Sequence, residues 1–215
     1  MVYFVSWLLL RFILLRWVFL WELRGEENLP QDRKKGGVVL ACNHISFLDP
    51  LVLGAGDARW PVRFMAKASL FTDWWFVRWF VNSTYAFPVN RGTADRAAWR
   101  HFAELVASGE HVAFFPEGTR SRDGKLQAPN PGAGILLHRC KGATVVPCRL
   151  WGTDKILHHQ RGWQGWHRLA LTYGTPVNLD DEWAQEGSRE VYQRIAEKVM
   201  ASIAAIPAPG NGADK

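Results

Sequence analysis

Three groups of residues carry side chains able to move protons or hold anions. The first is Asn43-His44-Ile45-Ser46-Phe47-Leu48-Asp49-Pro50. A carboxylate bonded to one imidazole nitrogen fixes the tautomer and leaves the other nitrogen as a general base. In a continuous helix, a spacing of five splays His44 from Asp49; across a loop-to-helix turn the two can meet. Asp49-Pro50 reads as an N-cap followed by proline at the first helical position, so a helix is expected to start there. The plain alternative is that Asp49 only caps and His44 only fills a turn. The second group is Phe115-Pro116-Glu117-Gly118-Thr119-Arg120-Ser121. Its glycine permits close backbone approach, its hydroxyls donate and accept, and its arginine can grip a phosphate through two N–H groups. The third group is Lys67 and Arg91, each just beyond an apolar run. Alone, each reads as a solvated charge; with Arg120 at the same kind of strand end, they outline an anion site. Ser46 beside His44 raises the idea of a serine nucleophile, but no Gly-x-Ser-x-Gly elbow occurs in the chain.

The elements that position these groups are short apolar runs alternating with helical stretches. Val38–Cys42, Val62–Ala66, Tyr85–Val89, Val112–Phe115, Thr144–Leu150 and Leu169–Tyr173 read as strands. Ala94–Ser108 places Ala98, Phe102, Leu105 and Val106 on one helical face, with Thr93 as a candidate N-cap. Gly132–Cys140 is a short helix, and Ser188–Ile203 sets Val191, Ile195, Val199 and Ile203 four apart behind a Ser188 cap. Strands alternating with helices predict an α/β fold: a single domain with a mostly buried sheet flanked by helices. Both candidate loops then follow strands, where open α/β sheets bind their ligands.

The 215 residues include 26 Lys and Arg against 20 Asp and Glu, and 12 Trp. Residues 1–179 hold 22 basic and 13 acidic side chains; 180–215 hold 4 and 7. A basic body suits an anionic surface or a phosphorylated partner, and no recognised RNA- or DNA-binding motif accompanies it. Residues 2–21 are long enough to span a bilayer. Their thirteen Val, Leu, Ile and Phe residues supply roughly −4 to −8 kcal/mol, while Arg11 and Arg16 cost about +5 to +7, so spanning is close to break-even. The expectation is an apolar N-terminal membrane-anchoring helix over 1–24, lying monotopically with its arginines snorkelling; a single span and a helix buried against the domain are the alternatives. The aromatic segment Leu70–Val81, with Trp74, Trp75 and Trp79, reads as a second membrane-facing helix or as a buried one. Trp7, Trp17 and Trp21 join them; the other six tryptophans read as ordinary core. Residues 207–215 read as a disordered tail. Cys42, Cys140 and Cys148 form no Cys-x-x-Cys pair, and Cys140, Cys148, His158 and His159, with His138 as a spare, match no compact zinc spacing. They read as buried thiols in a reducing compartment, with no metal.

Four blocks occur in order: Asn43-His44-x-Ser46-x-x-Asp49, Phe87-Pro88-Val89-Asn90-Arg91, Phe115–Ser121, and Val145-Val146-Pro147. Together they resemble the motif blocks of the glycerolipid acyltransferases, most nearly the bacterial 1-acylglycerol-3-phosphate O-acyltransferases. The resemblance runs over about residues 25–178 and departs at Pro88-Val89-Asn90, where the family usually carries a more aliphatic run. It implies a glycerol-3-phosphate acyltransferase-like domain over 25–206. It implies that His44, oriented by Asp49, deprotonates the free hydroxyl of lysophosphatidic acid, which attacks an acyl-CoA or acyl-carrier-protein thioester without an acyl-enzyme. Arg120, Arg91 and Lys67 would hold the acceptor phosphate, and Glu117, Gly118 and Thr119 would shape the glycerol site. Asn43, Ser46 and Pro147 would support it, with Val145-Val146-Pro147 on the acyl or donor side. No cofactor is implied. The implied location is the cell membrane, attached peripherally, with the active site on the cytoplasmic side among membrane lipids. The rival readings are an acyltransferase for another lyso-lipid, such as lyso-ornithine lipid, and a non-catalytic lipid-binding module.

Overall fold

The structure, a computed structural model, describes residues 21–30, 36–56, 61–72, 75, 78, 81, 85–90, 95–158 and 160–210. Residues 1–20 of the expected anchoring helix, Arg91, Thr93, Trp74, Trp79 and the last five residues lie outside the described residues; the end of that expected helix, Glu22–Arg24, is a strand paired with Ala170–Thr172 and not helical. No helix among the described residues is long and apolar enough to cross a membrane.

The chain enters on β1 (Glu22–Arg24) and a 3-10 turn. There follow β2 (Val38–Cys42), α1 (Asp49–Gly56), β3 (Val62–Lys67), β4 (Phe87–Val89), α2 (Arg96–Ala107), β5 (His111–Phe114), α3 (Pro131–Arg139) and β6 (Thr144–Trp151). Beyond β6 come the one-turn helix α4 (Thr153–Ile156), a small hairpin of β7 (Leu157–His158) and β8 (Gly162–Trp163), then β9 (Ala170–Tyr173), α5 (Asp180–Ala184) and α6 (Arg189–Ala205). Seven strands form one sheet in the order β1-β9-β6-β2-β5-β3-β4. Every neighbouring pair is parallel except β6 and β9.

Parallel strands need crossovers that cover both sheet faces, which is why the strands read as continuous apolar runs. All five residues of β2 are buried, and the pleat sends alternate side chains to two cores. Val38, Leu40 and Cys42 join Val52 and Leu53 of α1 with Leu171 and Tyr173 of β9. Val39 and Ala41 face Phe102 and Val106 of α2, Leu136 and Leu137 of α3, and Ile195 and Val199 of α6. Helix α3 approaches α6 so closely that a Cβ on Gly134 would sit 1.8 Å from the Tyr192 carbonyl oxygen. Only glycine fits there.

The six expected strands are present, with ends shifted by at most two residues. Three features differ from expectation. Helix α2 is capped by Asp95, whose carboxylate accepts the Ala98 N–H at 3.0 Å. Trp21 is not at a lipid-facing surface; it is 8% exposed and packs into the core with β9. Trp163 and Trp166 are not core residues but stand 53% and 64% exposed. The short β1 and the β7–β8 hairpin lack the apolar alternation that would have marked them in the sequence.

Candidate active site

Strands β2, β3, β4 and β5 run parallel, so the segments leaving them emerge along one edge of the sheet. The central strand β2 delivers Asn43 and His44 to that edge. The Asn43 side-chain amide stands in for one more peptide unit. It donates to the Leu150 carbonyl at 3.0 Å and accepts the Leu150 N–H at 2.7 Å, so β6 keeps its partner while the backbone turns away.

His44 and Asp49 meet. His44 Nδ1 lies 2.7 Å from Asp49 Oδ2, with both side chains almost wholly buried. The same oxygen accepts the Ile45 N–H at 2.6 Å and the Ser46 N–H at 2.8 Å, while Oδ1 accepts the Thr153 hydroxyl at 2.6 Å. Asp49 therefore opens α1 without capping it in the ordinary way. Its carboxylate folds back onto the loop before the helix and forward to α4. An ionised carboxylate only accepts, so the imidazole proton sits on Nδ1 and Nε2 is the basic nitrogen. The ring stacks on Phe115, centroids 3.9 Å apart and planes 13° from parallel, which fixes the direction of Nε2.

The loop after β5 grips the backbone of the same residue. Glu117 Oε1 accepts the His44 N–H at 3.0 Å, and the Ser121 N–H donates to the His44 carbonyl at 2.7 Å. Glu117 is 5% exposed, and its other oxygen accepts from Gln127 Nε2 at 3.0 Å. Burial holds its carboxyl above the usual range, against the lowering effect of these hydrogen bonds. Glu117 thus supports the histidine loop from behind. Gly118, at φ +74°, turns the chain beside Asn130, and Gly118 and Thr119 are exposed. The Arg120 guanidinium lies 3.7 Å over the Phe47 ring, above the His44 loop. Lys67 ends β3 on the same edge and is exposed.

Ser46 is fully buried and donates its hydroxyl to the Leu157 carbonyl at 2.6 Å, which ties the loop to the β7–β8 hairpin. Pro147 lies inside β6, paired with Ala41, and Val145 and Val146 are 0% exposed. These three residues are part of the sheet and do not line the cleft beside His44. That cleft, of about 210 Å3, is walled instead by Met65, Val89, Trp99, Phe115 and Leu136. Gln127 and Thr153 went unnoticed in the sequence. Thr153 had a signal, a hydroxyl just past the end of a strand; Gln127 had none. The thiols of Cys42 and Cys140 are both pushed up by burial, Cys140 to about 12, and are inert at neutral pH. Among the described residues, no cluster of three His, Cys, Asp or Glu could hold a metal ion.

Known proteins resemble this chain in sequence and in fold. The chain is 32% identical over 184 residues to the 1-acyl-sn-glycerol-3-phosphate acyltransferase of Bacillus subtilis (strain 168), covering 85% of each protein. It is 34% identical over 139 residues to the chloroplastic 1-acyl-sn-glycerol-3-phosphate acyltransferase BAT2 of Brassica napus, covering 63% of this chain and 38% of that one. It is 28% identical over 170 residues to the lyso-ornithine lipid O-acyltransferase of Pseudomonas aeruginosa, covering 70% and 63%. The fold matches the crystal structure of the 1-acyl-sn-glycerophosphate (LPA) acyltransferase PlsC from Thermotoga maritima, with a TM-score of 0.65 and 23% identity over 88% of this chain and 73% of that one. The acyltransferase family model matches residues 21–151, a span that takes in His44, Asp49 and the Glu117–Arg120 loop, and the chain belongs to that family.

Proposed function

We propose that this protein transfers an acyl chain from a thioester to the free hydroxyl of 1-acyl-sn-glycerol-3-phosphate, giving phosphatidic acid for phospholipid synthesis. The observation that carries the reading is the buried His44–Asp49 pair at the wall of an apolar cleft. Nε2 of His44 takes the proton of the acceptor hydroxyl as its oxygen attacks the thioester carbonyl. The imidazolium that forms is stabilised by Asp49, whose position four hydrogen bonds define. Collapse of the tetrahedral intermediate breaks the carbon–sulfur bond, and the departing thiolate recovers the proton from His44. The products are an ester and a free thiol, with no acyl-enzyme. The burial of Ser46 and its bond to a backbone carbonyl support a transfer that does not pass through that serine.

Arg120 and Lys67 hold the acceptor phosphate at the edge beside His44, and Arg91 would supply a third cation. The apolar cleft suits an acyl chain. The donor is acyl-CoA or acyl-carrier protein. The protein sits peripherally on the cytoplasmic face of the cell membrane, held by its apolar first residues; the lipid nature of both substrates supports this. A lyso-ornithine lipid acceptor is the second reading, favoured by the P. aeruginosa relative. An acceptor panel with radiolabelled acyl-CoA and acyl-carrier protein, scored by lipid product, separates the two. Phosphatidic acid as the main product is expected, with none from His44→Ala. Ornithine lipid as the main product would replace the phosphate acceptor, and near-wild-type turnover by His44→Ala would overturn the mechanism.

A further inference from the structure

The β7–β8 hairpin carries an aromatic surface that the proposed chemistry does not use. Trp163 and Trp166 stand 53% and 64% exposed and pack edge to face, centroids 4.9 Å apart. A soluble surface seldom leaves two indoles so open. Phe47 of the histidine loop is also 52% exposed. The hairpin and that loop are joined: Ser46 bridges His158, and its hydroxyl donates to Leu157. The tip is a built turn. The Gln164 side-chain amide is directed at the carbonyls of Arg161, Gly162 and Trp163, at 3.0–3.4 Å, and the Gln164 N–H donates to Ile156 at 2.8 Å. His158 Nδ1 accepts the N–H groups of Gln160 and Arg161 at 3.2 Å each.

Each of these features suits a lipid interface. Indoles settle where one end of the ring is apolar and the other wet. Backbone carbonyls that leave bulk water need partners, and the two N–H groups of the Gln164 amide are shared among those of Arg161, Gly162 and Trp163. The charge is one-sided as well. Residues 155–179 contain no Asp or Glu, while Lys155, Arg161 and Arg168 are exposed. Cations flanking aromatics fit anionic headgroups. We propose that the β7–β8 hairpin inserts Trp163 and Trp166 into the headgroup layer of an anionic bilayer, holding the His44 loop against the surface from which the acceptor is drawn. This rests on the membrane-attached reading above and assigns the hairpin a contact separate from the N-terminal segment.

The test uses the full chain. Cys42, Cys140 and Cys148 are buried, so Trp163→Cys can be labelled selectively with an environment-sensitive fluorophore; Gln193→Cys on α6, across the sheet, is the control. Vesicles of phosphatidylcholine with phosphatidylglycerol, and of phosphatidylcholine alone, are added, with cosedimentation followed in parallel. The expected result is a blue shift and intensity rise at position 163 on the anionic vesicles, a smaller change on the neutral ones, and none at 193. Cosedimentation with a water-like label at 163 would overturn the hairpin proposal and leave membrane attachment standing. Absence of cosedimentation would remove both. A response at 163 to acidic acyl-carrier protein but not to vesicles would assign the surface to that protein and overturn the lipid contact. As a second readout, Trp163→Ser with Trp166→Ser should weaken vesicle binding about tenfold and lower activity on vesicle-embedded acceptor, while activity on detergent-dispersed acceptor is kept. Equal losses in both formats would also overturn it.

Discussion

Asp49→Asn separates the charge of the catalytic pair from its geometry. Oδ2 meets three N–H donors, from His44, Ile45 and Ser46, and Oδ1 meets the Thr153 hydroxyl. An amide has one oxygen, so it must place that oxygen at the three donors and turn its NH2 to Thr153, whose hydroxyl can rotate to accept. The loop, the Nδ1–H tautomer and the ring stack on Phe115 are then kept, and only the negative charge is lost. On the proposed mechanism, that charge matters once His44 becomes an imidazolium as the hydroxyl proton transfers. Two unit charges about 4 Å apart at an effective dielectric of about 20 interact by about 4 kcal/mol. At 1.36 kcal/mol per tenfold, kcat should fall about 10³-fold, with KM for both substrates little changed. Exchanging charge-assisted for neutral hydrogen bonds costs about 1 kcal/mol each in stability, so Tm should drop while the near-ultraviolet dichroism stays native. The assay is the initial rate of thiol release from the acyl thioester, over ranges of both substrates. A natively folded variant with kcat within about tenfold of wild type would refute the charge argument. A loss confined to KM would make Asp49 a binding residue.

Arg120→Ala, and to a smaller extent Lys67→Ala, should raise KM for the phosphate acceptor about tenfold and leave KM for the thioester unchanged; an unaltered acceptor KM in steady-state kinetics would remove Arg120 from the phosphate. Glu117→Gln tests the buried carboxyl through pH. Its folded-state pKa is raised, so it favours the fold most fully at acid pH, below the ordinary value, and that contribution is lost as pH rises through the raised value. The Tm of wild type relative to Glu117→Gln should therefore fall on going from about pH 4 to neutrality; a pH-independent difference in thermal melts would show that burial does not govern this group. Gly134→Ala should cost about 3 kcal/mol, because the new Cβ meets the Tyr192 carbonyl at 1.8 Å; an unchanged denaturation midpoint would contradict the close packing of α3 on α6.

The sheet was legible because parallel strands buried on both faces leave continuous apolar runs such as Val38–Cys42. The helices were legible where an apolar stripe met a cap, as at Ser188, whose hydroxyl accepts the Val191 N–H at 3.3 Å. The hairpin after α4 was not. Its two-residue strands show no period, and its order comes from Gln164 and His158 bonding to nearby backbone. In the site, residue types announced His44, Asp49 and Arg120. The bond from Glu117 to the His44 N–H was not legible, because it depends on burial that the tertiary fold alone creates. Thr153 reaches Asp49 from an element 104 residues away, and Gln127 reaches Glu117 across the fold of one long loop; neither pairing is written in local sequence.

The ties that hold His44 in place also set when in the life of the chain it can act. Its loop is closed by Glu117, 73 residues downstream, and by Leu150, Thr153 and Leu157, all more than 100 residues beyond their partners. Such distant closures form late, since chain entropy opposes them until the intervening sheet exists. A nascent chain that has exposed both His44 and Asp49 therefore has no assembled base until the segment through Leu157 has emerged and docked. During synthesis, and during refolding from denaturant, activity should return together with the docking of β6, α4 and β7 and not with the earlier collapse around β2. The proposed base is thus completed by the last of the segments that hold it.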